Sequence, residues 1–168
     1  GPLCDAEDAE AVLSHPWPRA ADFDFGPLAR EAEEHRGRVI VGGLWTGIMG
    51  DAYRMIGFEN FLMYCASEPA LIRALVSRLT DVYLELNESI FNLLKGKLDV
   101  WFFGNDFGSQ QGLLLSKPMW MDFFYPNIRR LCAHVHGHGL KVMMHSCGSI
   151  VDIIPELIEA GVDILDPI

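Results

Sequence analysis

Two side chains in this sequence are spaced so that they can act on the same atom, namely the imidazole of His145 and the thiol of Cys147, separated by Ser146. In an extended segment, residues i and i+2 leave the same side of the chain, so both groups can reach one point. Imidazole nitrogen and thiolate sulfur are ligands that zinc prefers, at about 2.0–2.1 and 2.3 Å, and binding of the ion deprotonates the thiol. The competing reading is a histidine hydrogen-bonded to backbone and a cysteine that only packs ahead of Gly148. Asp106 is the next candidate, a carboxylate that follows an apolar run and lies between Gly104 and Gly108. Flanking glycines let a ligand or another backbone approach closely, although an aspartate in this position can also simply cap a turn. Asp106, His145 and Cys147 are therefore the catalytic candidates, with His145 and Cys147 as metal ligands. A catalytic zinc site needs a third protein ligand, which His-x-Cys alone does not provide.

The candidate substrate contacts are Trp45, among Gly43, Gly47 and Gly50; Asn105 beside Asp106; Gln110 and Gln111 in the following loop; and Asp166 ahead of Pro167. The two glutamines fit either a substrate contact or a polar loop. His134, His136 and His138 alternate at a helix end, where their angular separation keeps all three from facing one ion, and they read as a solvated terminus. Cys65 and Cys132 lie in helical apolar patterns and read as small buried hydrophobes. Four irregularly spaced cysteines in a chain of this size point to reduced thiols rather than a disulfide framework.

These residues have to be positioned by secondary structure, and the apolar patterning supplies it. Val39–Gly43, Leu98–Phe103, Lys141–His145 and a segment starting over Val162–Leu165 read as strands, the first of them buried on both faces. Between them come a charged helix over Phe25–His35 and helical material through Cys65. The clearest helix runs from Pro69 to about Leu94, with Leu71, Leu75, Leu79, Val82, Leu86 and Ile90 at spacings of three and four. Ser116 caps a helix carrying Trp120, Phe124, Ile128, Leu131 and Val135 on one face. A last helix spans Ile150–Ala160, with Pro155 marking a break or restart and Gly161 the stop. Residues 1–23 read as an irregular lead-in, of which Gly1-Pro2-Leu3 fits a protease-cleavage scar, and residues 24–168 form the domain.

Strands that alternate with helices give an α/β fold with a parallel sheet and right-handed crossovers. Four strands fit a small doubly wound sheet or an arc of a barrel, and composition and periodicity do not choose between them. In both architectures ligands bind beyond the carboxyl ends of the strands. Asn105 and Asp106, His145 and Cys147, and Asp166 all fall at such ends.

A net charge of −10 disfavours nucleic acid and anionic membrane as partners. The sequence holds no apolar run of the ~20 residues that a bilayer crossing needs, nor a secretory leader pattern, so a cytoplasmic location is expected.

The segments Gly104-Asn105-Asp106-Phe107-Gly108-Ser109-Gln110-Gln111-Gly112, His145-Ser146-Cys147-Gly148-Ser149-Ile150 and Ile164-Leu165-Asp166-Pro167 resemble the uroporphyrinogen decarboxylase superfamily. The resemblance is closer to the branch that includes corrinoid-dependent methyltransferases, and it runs from about His15 to the end of the chain. It implies a parallel (β/α) barrel of TIM type, of which 168 residues would be a partial barrel of about four β/α units. It further implies zinc held by His145 and Cys147 plus a distal cysteine with no counterpart in these residues. A methyl-corrinoid, free or bound to a corrinoid protein, would be the substrate or partner, alongside a small-molecule thiol. Three functions are consistent with it: zinc-dependent methyl transfer, cofactor-free decarboxylation of uroporphyrinogen in porphyrin biosynthesis, and a non-catalytic fragment or binding paralogue. A partial barrel would also self-associate through its open edges.

Overall fold

The computed structural model describes residues 1–43 and 47–167. Its elements are α1 (Ala9–Ser14), α2 (Gly26–Glu34), β1 (Val41–Gly43), α3 (Ile48–Ile56), α4 (Phe58–Ser67), α5 (Pro69–Leu93), β2 (Val100–Gly104), α6 (Lys117–Phe123), α7 (Tyr125–Gly137), β3 (Lys141–His145), α8 (Ile154–Ala160) and β4 (Ile164–Asp166). The four strands are parallel and lie in the order β1-β2-β3-β4. Each strand sits beside its predecessor and the order never reverses. A doubly wound sheet reverses at a switch point, whereas a barrel adds strands consecutively, so this sheet is an arc of a barrel. Among the described residues no helix is long and apolar enough to cross a membrane.

The core lies between the sheet and the helices that return along it. Leu71, Ile72, Leu75, Val76, Leu79 and Ile90 of α5 are buried, and Phe91 meets Trp101 of β2 edge to face at 4.8 Å. Burying such side chains stabilises the fold by roughly 1.5–3 kcal/mol apiece. Cys65 and Cys132 are buried within this layer as free thiols, and burial pushes the pKa of each up to about 12. They are packing residues, as the apolar pattern suggests.

Four details differ from the expectation. The lead-in is not irregular: Asp8 caps α1 by accepting from the Ala11 amide at 3.0 Å, and Val12 is fully buried. Trp17 donates from Nε1 to the Val12 carbonyl at 2.9 Å, Glu85 of α5 holds Arg19, and Leu3 is buried too. Pro and Ala masked a helix that forms because α5 offers it an apolar face. Second, β1 is shorter than expected and is not buried on both faces, since Val39 and Val41 are 73% and 54% exposed. It is the edge of the arc, with one sheet neighbour. Third, the helix after Ser116 is two helices that meet at Phe124, where Pro126 opens α7 and removes an amide that a continuous helix would need. Fourth, β2 and β4 begin two residues later than their apolar runs suggest, and β2 ends at Gly104 rather than Phe103, while β4 ends at Asp166 as expected. Pro155 acts as a restart, opening α8 after a single 3-10 turn at Val151–Ile153, and Gly161 ends it with φ of 106°.

At the amino end of the sheet, Asp163 ties three elements together. Its carboxylate accepts from Lys141 Nζ at 2.8 Å and from the Val142 amide at 2.8 Å, and meets His136 Nε2 at 2.7 Å. Burial works to raise its pKa, but the Lys141, Val142 and His136 contacts outweigh that and hold it at about 2 against an ordinary 3.8. A depressed carboxyl contributes stability that is complete above its unfolded value and lost as pH falls through the folded one. Asp163→Asn should therefore cost about 1–2 kcal/mol in urea unfolding at neutral pH. The difference between variant and parent should shrink as pH falls from about 4 to about 2.

Candidate functional site

Parallel register sets the level at which the strands end. Gly104 pairs with His145 and His145 with Asp166, so the exits of β2, β3 and β4 lie side by side. The ladder continues one step beyond the strands, because the Asn105 amide donates to the His145 carbonyl at 2.8 Å and the Ser146 amide to the Asp166 carbonyl at 2.9 Å. Residues 145–147 are thereby kept extended, and their side chains alternate. Ser146 turns inward, 1% exposed, where its Oγ accepts from the Phe107 amide at 3.2 Å. His145 and Cys147 turn the other way.

The imidazole of His145 is largely covered, with 16% of the side chain exposed. Its Nδ1 lies 2.9 Å from Asp166 Oδ2, while Nε2 faces Cys147 Sγ at 3.1 Å and Asp106 Oδ1 at 3.5 Å. A carboxylate on Nδ1 favours the tautomer protonated there and directs the Nε2 lone pair toward the sulfur. Asp106 Oδ1 also accepts from the Cys147 amide at 2.9 Å, which binds the β2 exit to the β3 exit. Ligand atoms of Asp106, His145 and Cys147 all lie within 4.8 Å of one another. The three residues thus form an N, S, O donor set of the kind that borderline divalent ions accept. Partial desolvation, then the negative charge of Asp106 and of Asp166, push the Cys147 thiol above its ordinary range, although the residue remains open to solvent. At neutral pH without a metal the sulfur keeps its proton.

Backbone contact lets the two loops come this close. A Cβ on Gly148 would stand 2.3 Å from the Gly108 carbonyl carbon, and one on Gly108 would stand 2.8 Å from the Gly148 carbonyl carbon. Gly148 also has φ of 82°. Across this crossing the Ser149 amide donates to the Ser109 carbonyl at 2.7 Å. Phe107 anchors the β2 exit from below, 1% exposed and packed against Trp120 and Phe124 with ring centroids at 5.7 and 5.3 Å. Asp106 is therefore the exposed residue between two buried ones.

The other candidates are dispersed. Asp166, expected as a substrate contact, stands behind His145 as its hydrogen-bond partner. Asn105 is 2% exposed and accepts at Oδ1 from the Met49 amide at 3.2 Å. Its buried Nδ2 has no protein partner among the described residues and lines a small cavity of about 40 Å³ with Gly47, Tyr53, Arg54 and Asp106. Gln110 and Gln111 are exposed on the loop closed by the Gly108–Leu113 bridge, and among the described residues they make no hydrogen bond to the donor set. Trp45 lies outside the described residues. A cavity of about 440 Å³ is lined by Leu28, Val39, Val41, Leu94 and Trp101 along the open edge at β1, away from the donors. The donors are visible in the sequence but the glycine crossing is not, its one signal being a glycine that follows each polar strand end.

The model of the family described as "Uroporphyrinogen decarboxylase (URO-D)" matches residues 13–166, and the chain belongs to that family. Among solved structures, a methyltransferase from Methanosarcina mazei aligns with a TM-score of 0.67 at 18% sequence identity, covering 82% of this chain and 39% of that one. At that identity the likeness is one of fold, and this chain spans about two fifths of the neighbour's length. No curated protein sequence matches.

The loop crossing yields a direct test. Gly148→Ala must relieve both a backbone clash and a left-handed φ, so it should destabilise the fold by roughly 1–3 kcal/mol or more in urea unfolding. Gly137→Ala, where an added Cβ meets nothing within 4 Å, should leave stability unchanged or slightly raised.

Proposed function

We propose that this chain carries the metal-binding corner of an enzyme that transfers a methyl group between a corrinoid and a thiol, with zinc held by His145, Cys147 and Asp106. The observation that carries the reading is the convergence of His145 Nε2, Cys147 Sγ and Asp106 Oδ1, with Asp166 behind the imidazole. A carboxylate–histidine pair of this kind fixes ring orientation and raises ligand basicity. When bound, zinc supplies a Lewis acid that lowers the pKa of a substrate thiol and keeps it as a thiolate near neutral pH.

The chain's own residues do the rest. Asp166 holds the imidazole, and the Ser146–Phe107 hydrogen bond keeps the segment extended. Cys147 gives up its proton to solvent on loading, and Asp106, whose side chain is 59% exposed beside it, is placed to turn its carboxylate toward the ion. Because the thiol lies above its ordinary range, metal affinity should rise with pH.

A second reading rests on the same exposed Asp106: stabilising the positive charge that develops when a pyrrole ring is protonated during tetrapyrrole decarboxylation. It gives the His145–Cys147 pair nothing to do, and the methyl-transfer reading is preferred for that reason.

Metal analysis separates the two. The methyl-transfer reading predicts one equivalent of zinc that Cys147→Ser removes, bound more tightly as pH rises, and weakened by about 10–100-fold in Asp166→Asn. Zinc content indifferent to Cys147→Ser, together with metal-free porphyrinogen turnover, would establish the decarboxylase reading instead.

A further inference from the structure

A second cluster of metal-competent side chains lies at the opposite end of the sheet. His134 in the last turn of α7 and His138, the residue that caps its carboxyl end, are four residues apart, the spacing that brings two side chains to one side of a helix end. Glu88 of α5 faces them, with one oxygen, Oε2, standing 3.0 Å from His138 Nε2 and 3.6 Å from His134 Nε2. Ligands 2.0–2.2 Å from a tetrahedral ion stand about 3.3–3.6 Å from one another, so the His134 separation is that of ligands sharing an ion and the His138 one needs only a few tenths of an ångström of widening. The three ligand atoms together lie within 4.8 Å of each other.

Three further observations favour an ion over a simple ion pair. His134 Nε2 is buried and has no hydrogen-bond partner among the described residues, a cost that coordination would remove. Phe91 packs against both rings, with centroids 5.4 Å from His134 and 4.9 Å from His138, which fixes the planes of the imidazoles. The second carboxylate oxygen, Oε1, accepts from Asn92 Nδ2 at 2.9 Å, leaving Oε2 turned toward the histidines. Oriented imidazoles and an anchored carboxylate are the supports that metal ligands receive from their surroundings. His136, between the two, points away to Asp163.

We propose that Glu88, His134 and His138 form a second divalent-metal site, selective for a borderline ion such as Zn²⁺, that clamps α5 to α7. An N₂O donor set suits such ions better than Ca²⁺ or Mg²⁺, which take oxygen ligands. The site lies near the carboxyl ends of both helices, at the amino end of the strands and away from the mouth. In barrels that end serves stability rather than chemistry, so the clamp is structural.

The test is zinc titration of the full chain by calorimetry, with thermal unfolding alongside, in the parent and in Cys147→Ser. In both backgrounds His138→Gln should remove one equivalent, and in the Cys147→Ser background it should also abolish the zinc-dependent rise in Tm. Asn92→Ala should weaken that equivalent by about tenfold. Co²⁺ substitution checks the ligands independently, since the absorption bands that remain in Cys147→Ser should change when His138→Gln is added. If the mouth binds nothing, the equivalent lost on His138→Gln is still seen, so the two sites fail separately. Zinc binding that His138→Gln leaves unchanged, or no zinc binding at all by Cys147→Ser, would overturn the assignment and leave the trio as an ion pair.

Discussion

Two loops that touch through bare backbone are the constraint on which the site depends. Only because Gly108 and Gly148 lack side chains can the exits of β2 and β3 approach until Asp106 reaches the Cys147 amide. That one contact turns a carboxylate on one strand and a His-x-Cys pair on the next into a single donor set. The surrounding structure serves the approach: Phe107 pins one loop into an aromatic pocket, Ser146 stitches that loop to the other, and parallel register puts Asp166 level with His145. The burial of Phe107 and Ser146 thereby acts on function through the position of two exposed residues.

The electrostatics follow from the same crowding. Desolvation, reinforced by two nearby carboxylates, keeps the thiol protonated, and the carboxylates also build a negative site that a cation relieves. A donor set that is poorly ionised alone and well ionised around a divalent ion couples metal loading to proton release.

Local periodicity makes much of this legible in the sequence. Residues i and i+2 of a strand must diverge from the residue between them, and His145, Ser146 and Cys147 do so. The α5 helix and the β3 strand follow from apolar spacing in the same way. What is not legible depends on register between distant segments. The hydrogen bond between Asp166 and the imidazole is one such case, because nothing local shows that β4 stops level with His145. The α1 helix is hidden because its stability comes from α5 rather than from its own six residues. Angular separation on the helix keeps His134, His136 and His138 from meeting at one ion, but it carries no sign that Glu88, far away in sequence, faces two of them. Choosing a barrel arc over a doubly wound sheet likewise requires strand order, which no single segment carries.

Belonging to a decarboxylase family while presenting a thiol, an imidazole and a carboxylate at one strand mouth makes ion binding at that mouth the decisive question. Anomalous X-ray scattering at the zinc edge, from crystals grown with Zn²⁺, reads it directly. The account predicts a peak about 2.0–2.1 Å from His145 Nε2 and about 2.3 Å from Cys147 Sγ, with Asp106 turned toward it. A zinc-free mouth in which the imidazole and the sulfur remain hydrogen-bonded to each other would contradict it.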